Sequence, residues 1–351
     1  MKTTRRIIAP LVLVMLLFAA CKTDDSTDID PNALEDAASL VIEITSILRN
    51  QEISLRLVDD TNTDQTQYAA FYVNGTEISN SDFSASETGS YEIYARYNLA
   101  GTQTNTQTET VQVIVPKRKV LVEDFTGTWC GYCPRMTTAI QLLRAATDDV
   151  VAVSIHGNSA GGTVDPFTIP EGMFLKGYFE IPGYPWGLLN RNETWEFPHP
   201  TEDASQYAGL DTDISIAIDS QLIGSEMTID VTVVSENTIE NSRLVVFLLE
   251  DGLIYDQRSY YNEDPNSPWY DMGEYIKGFQ HDDVLRVTLT DPLGDTLPTI
   301  SALNMHSETF TFSIPSEYNS ANLKIVAMVV NDDDSARNAQ HAHVNENKAF
   351  E

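Results

Sequence analysis

Between residues 38 and 116 the apolar positions alternate with polar ones: Ile53, Leu55, Leu57; Phe71, Val73; Tyr91, Ile93, Ala95, Tyr97; Val111, Val113, Val115. A period of two predicts half-buried strands, and Asn74-Gly75 between two short runs predicts a tight type I′ hairpin. From Lys119 the pattern changes. Val120 to Phe125 reads as a buried strand, Pro134 to Ala146 as a helix with Met136, Ile140 and Leu143 on one face, and Val150 to Ile155 and Trp186 to Leu189 as two further strands. Strand, helix, strand in that order predicts a parallel pair with a crossover helix. From Asp211 the alternation returns at Ile214, Ile216, Ile218 and at Met227, Ile229, Val231, Val233. Leu244 to Leu249 and Ile325 to Val330 are apolar without interruption, so these two strands are expected to be covered on both faces.

The expected organisation is multidomain, β plus α/β: a signal segment at 1–20, an acidic tether at 21–37, an immunoglobulin-like β-sandwich at 38–116, an α/β domain at 117–210 and a C-terminal β-sandwich at 211–351. Lys and Arg total 21 against 52 Asp and Glu, a formal charge of −31, which repels a phosphate backbone and argues against nucleic acid as a partner. Three cysteines, Cys21, Cys130 and Cys133, are too few to staple the domains, so their positions carry their meaning.

Lys2, Arg5 and Arg6 precede an apolar run from Ile7 to Ala20 that ends at Phe18-Ala19-Ala20-Cys21. The run is short for a spanning helix and is broken by Pro10, which makes it a cleavable signal peptide. Cys at the first mature position resembles a bacterial lipobox, which implies acylation of Cys21; cleavage nearby by another peptidase leaves Cys21 incidental. Lys22-Thr23-Asp24-Asp25 resembles a tag for the outer cell surface and reads equally as a polar linker.

The chemistry lies in Trp129-Cys130-Gly131-Tyr132-Cys133-Pro134, at the seam between a strand and a helix. A spacing of three brings two sulfurs within bridging reach on one helical turn, and the unpaired N–H groups of a helix start favour a thiolate at Cys130. Cys130 is the candidate attacking thiolate and Cys133 the resolving thiol. Asp124, on an otherwise apolar strand, is the candidate base for Cys133. Trp129, Tyr132, Tyr184 and Pro185 are candidate substrate-contacting residues, with Pro185 expected cis after Tyr184. A static disulfide is the competing use of the pair. Zinc lacks a second ligand pair, and no metal or cofactor is expected.

Trp129 to Pro134, the acidic residue six before Cys130 and the Gly183-Tyr184-Pro185 loop resemble the thioredoxin superfamily over residues 117 to 210. The chain as a whole resembles the Omp28-related outer-membrane proteins, bacterial lipoproteins with a thioredoxin-like middle. The residues that carry this likeness are Val122 to Gly127, His156 with Asp165-Pro166-Phe167, Gly183-Tyr184-Pro185 with Asn190-Arg191, His281 to Arg286, and Arg337 to Gln340. The whole-chain resemblance implies the architecture and a lipid-anchored envelope protein in the outer membrane, facing the periplasm or the cell surface; the cysteine pair in its thioredoxin-like setting predicts exchange with protein thiol or disulfide substrates. The alternative is a surface binding or structural lipoprotein that uses the fold as a scaffold.

Three further groups have two readings each. His156 is either a satisfied structural histidine or a site-lining one. His341-Ala342-His343 reads as a solvated end or a metal grip, and Asp332-Asp333-Asp334 as a charged turn or a calcium loop. The aromatic stretch from Tyr255 to Tyr275 reads as a cover for the sandwich edge, or as a surface suited to a glycan or protein ligand.

Overall fold

A computed structural model describes residues 33–351 of the chain. The signal segment, Cys21 and most of the tether lie outside the described residues.

In the N-terminal block a six-stranded sheet and two short two-stranded sheets enclose one core built on Ile47, Leu55, Phe71, Ile93 and Val111. Strands Ala69–Val73 and Thr76–Glu77 pair Val73 with Thr76, and Asn74 and Gly75 both take positive φ (49° and 78°). This is the two-residue turn expected from Asn-Gly, whose twist matches that of the strands.

The parallel pair of the middle block is Val120–Thr126 with Val150–His156, joined by helix Pro134–Ala146. Strand Trp186–Leu189 lies antiparallel to Val120–Thr126 on its other side. Helix Pro170–Tyr178 was not anticipated; it is short, and Leu175 is its one fully buried apolar side chain.

The sheet does not stop at residue 210. Val150–His156 pairs at Ser154 with Val284 of strand Val284–Thr288, and Ser242–Glu250, Leu323–Asn331 and Ala336–His343 continue outward to give nine strands in all. The uninterrupted runs are covered on both faces, as their pattern requires. Leu244, Val246 and Leu248 pack into a core shared with Ile216, Ile229 and Val231 of a four-stranded sheet. Val245, Phe247 and Leu249 pack with Leu121, Phe125, Val153 and Leu175 of the middle block. One core therefore spans the boundary between the two blocks.

Within that shared region Glu123 and Arg191 form a wholly buried ion pair, Arg191 Nε to Glu123 Oε1 at 3.2 Å, and Arg191 also donates to the Pro292 carbonyl. His341 belongs to strand Ala336–His343 and is paired with Val326, so this segment is the largely buried edge strand of the sheet and not a solvated end. The alternation of Ala with polar residues in Arg337 to His343 hid it. Asp334 pairs with Arg243, and Asp333 bonds the Ser335 amide and hydroxyl, which makes the aspartate run a charged turn. Among the described residues no helix is long and apolar enough to cross a membrane, and no group of three His, Cys, Asp or Glu is placed to hold a metal ion.

Candidate functional site

Cys130 and Cys133 form a disulfide with their Cα atoms 5.4 Å apart. Successive turns made by Cys130 N–H to the Gly127 carbonyl, Cys133 N–H to the Cys130 carbonyl and Met136 N–H to the Cys133 carbonyl lead into the helix, which Pro134 begins. Proline there loses no hydrogen bond, because the first helical N–H groups have no partner within the helix.

Strand Val120–Thr126 divides its polar side chains between its two faces. Glu123 turns toward Arg191, while Val120 and Val122 pack under the helix with Met136, Ile140 and Leu143. Asp124 shares the parity of the second set, and it lines a cavity with Thr137 and Ile140. These two residues lie four and seven positions after Cys133, so Asp124 sits beneath the helix face that Cys133 starts. It is 3% exposed, and its Oδ1 has no hydrogen-bond partner. Burial, with the nearby Asp283 charge adding to it, pushes its carboxyl up to about 8, so the acid is largely protonated at neutral pH.

The Tyr184–Pro185 peptide bond is cis, in the loop that leads into strand Trp186–Leu189. Tyr184 meets Trp129 edge-on, with ring centroids 5.4 Å apart, and burial raises its hydroxyl to about 12. Trp129 donates from Nε1 to the Gly157 carbonyl at 2.8 Å. A Cβ at Gly157 would lie 1.9 Å from the Tyr184 hydroxyl, so this glycine is needed for the two loops to meet. The structure thus brings Tyr184, with Pro185 after it, against Trp129, the residue before Cys130.

Two features depart from the sequence reading. Cys130, whose proposed attack on a substrate needs access, is only 4% exposed, against 1% for Cys133. The cover is the aromatic stretch, which lies over the cysteine loop and not over a sheet edge. It is the arm between strands Leu253–Arg258 and Tyr275–His281. Arg258 N–H bonds the Thr128 carbonyl and Tyr260 N–H the Gly131 carbonyl, each at 2.8 Å. Gln257 Nε2 reaches the carbonyls of Cys130 (2.9 Å) and Gly127 (3.3 Å). Tyr132 packs edge-on against Tyr260, and Trp269 Nε1 bonds the Pro134 carbonyl and Thr138 Oγ1 at the helix start. A Cβ on Gly131 would stand 2.6 Å from the Tyr260 ring.

His156 is a positioned residue. Its Nδ1 lies 3.1 Å from Asp165 Oδ1, and Asp165 in turn accepts from the Thr128 amide at 2.6 Å and the Phe167 amide at 2.9 Å. Burial alone would raise the Asp165 carboxyl; its bonds with His156 and the two amides hold it below the ordinary carboxylate range. This bridge ties the end of strand Val150–His156 to the residue two before Cys130. Tyr260 fell in the aromatic stretch and His281 in a segment that carries the family likeness, but nothing in the sequence tied these residues or Gln257 to the cysteines, more than 120 positions away.

Residues 173–348, just over half of the chain, match the family model of Outer membrane protein Omp28. The chain belongs to the Omp28 family. The matched region holds the Tyr184–Pro185 loop and the covering arm; the cysteine pair precedes it. Among solved structures, HBP35 of Porphyromonas gingivalis is 19% identical with a TM-score of 0.50, over 66% of this chain and 77% of that one, a likeness of fold. A domain of the outer membrane lipoprotein Omp28 from P. gingivalis is 18% identical over 38% of this chain and 89% of its own, with a TM-score of 0.25. No curated protein matches the chain.

Proposed function

We propose that this Omp28-family chain is an outer-membrane lipoprotein, anchored through Cys21, whose middle block has the thioredoxin-like arrangement and exchanges disulfides with protein substrates at Cys130 and Cys133. The observation that carries the reading is Asp124: a protonated, buried carboxyl with an unpartnered oxygen, under the first turn of the helix that the cysteine pair opens. A carboxyl in such a place costs stability, and strongly shifted groups of this kind concentrate at sites that move protons. The chain-entry loop at cis Pro185 and the Trp129–Tyr184 pair supply a surface beside the sulfurs. The reading requires the arm from Ser259 to Glu274 to lift, because it bonds Gly131 and packs on Tyr132 while Cys130 beside them is buried.

That same burial favours a second reading, in which the bond is static and the chain is a binding lipoprotein. Turnover of a protein disulfide by the reduced wild-type chain, lost in Cys130→Ser, supports the first reading. Equal inactivity of both proteins supports the second.

A further inference from the structure

The cavity beneath the helix is lined by residues of both blocks, among them Asp124, Thr126, Ser154, Gln257, His281 and Asp283, and has a volume of about 50 Å³. That is room for one or two water molecules. Two of its buried polar atoms have no protein partner, Asp124 Oδ1 and His281 Nε2, on residues 3% and 6% exposed. Buried polar atoms are ordinarily satisfied, and in a polar cavity of this size water does it.

The other charged groups facing the pair are already engaged. Asp283 bonds Arg144 and Lys324, Lys324 also bonds Asp251, and His156 is tied to Asp165. The rings of His156 and His281 stand 5.3 Å apart, and Gln280 and Asp282 line the cavity where it meets solvent. Burial, and the neighbouring His156, push the His281 imidazole down to about 3. The ring is therefore neutral at ordinary pH. A hydrogen bond to the Tyr255 backbone engages its other nitrogen, which leaves Nε2 as an acceptor.

We propose that His281, contributed by the C-terminal block, is a positioning residue that holds the water connecting Asp124 to solvent. The inference rests on the exchange reading of the cysteine pair. In the resolving step the Cys133 S–H proton passes to Asp124 in its ionised form, the minor one at neutral pH, and a Cys133–Cys130 sulfur bond forms. The bond from Cys130 to the substrate sulfur breaks, so the substrate leaves as a reduced thiolate and the cysteine pair is oxidised. Asp124 must then return its proton to solvent. The water accepts from the Asp124 hydroxyl, donates to His281 Nε2 and exchanges at the mouth near Gln280.

The test follows the Asp124 carboxyl directly, by infrared titration of the full mature chain against an Asp124→Asn control. His281→Phe keeps the aromatic packing but removes the acceptor, and should raise the Asp124 midpoint by at least about one pH unit, because a dry carboxyl resists ionisation more. His281→Gln keeps an acceptor and should stay near wild type. In single-turnover reactions quenched with acid, formation of the Cys130 mixed disulfide should be unchanged in His281→Phe. Its resolution should be slowed at least about tenfold at pH 7, with the pH limb displaced like the carboxyl. A midpoint unmoved in His281→Phe overturns the inference, as does an equal displacement in both variants, which would mark a packing effect. A wild-type chain that forms no mixed disulfide defeats the exchange reading instead, whatever the titration shows.

Discussion

Gln257 Nε2 donates to the carbonyl of Cys130 at 2.9 Å, a contact between residues 127 positions apart. The C-terminal block thereby fastens the backbone of the cysteine loop, and Tyr260 follows three residues later to close over it. On the proposed reading, access to the cysteine pair then depends on its neighbour.

If the arm limits access, loosening it should expose the thiol. Tyr260→Ala removes the ring packed on Gly131 and Tyr132, and Gln257→Ala removes two carbonyl contacts. In the reduced protein either change should speed alkylation of Cys130 about tenfold, the effect of weakening the closed form by about 1.4 kcal/mol. Alkylation already at the rate of a free peptide in the wild type would show that the arm is no cover.

The Asp124 carboxyl makes a stability prediction with a definite sign. Its folded value, about 8, lies above the ordinary 3.8, so between these two pH values the unfolded chain releases a proton that the folded chain keeps. Folding is penalised increasingly as pH rises through that window and not below it. Asp124→Asn should therefore stabilise the oxidised protein by roughly 3–5 kcal/mol at pH 8 and by little at pH 4, measured by urea unfolding. Equal effects at both pH values would contradict the raised carboxyl.

Much of the scaffold was legible. The alternation that gave the outer strands, the helix at Pro134–Ala146 and the two uninterrupted runs all follow from local side-chain pattern, because each face buried by an element leaves its period in the chain. What periodicity cannot report is which core a covered face joins. Phe247 and Val245 announce only that they are buried; that they pack against Phe125 and Leu121 depends on a single pairing at Ser154 and Val284. The site divides the same way. Cys130, Cys133, Asp124 and Pro185 are local, whereas Gln257, Tyr260 and His281 arrive through tertiary contact, and the aromatic composition of their arm did not say what it would cover.

The Glu123–Arg191 pair has no exposed atoms on either side chain, so one partner alone is costly. Glu123→Ala should destabilise by about 3–5 kcal/mol by leaving a buried guanidinium without its counter-charge. A Glu123→Met/Arg191→Met double variant should recover much of that loss in denaturant unfolding. A double variant as unstable as the single one would show that packing, not charge, sets the cost.

Cys21→Ser should move the protein from the membrane to the soluble fraction, since the acyl chains implied by the lipobox would supply the anchor. Retention of the unlipidated variant in the membrane would place the attachment elsewhere.

The central claim is tested most directly by trapping. Cys133→Ala leaves Cys130 able to attack but removes the thiol that releases it, so the variant isolated from cells under acid quench should carry envelope proteins disulfide-linked through Cys130. These adducts should vanish on reduction and be absent from a Cys130→Ala/Cys133→Ala control. A Cys133→Ala protein that accumulates no adduct, even with Tyr260→Ala added to lift the arm, would contradict the account and leave the Cys130–Cys133 bond a static one.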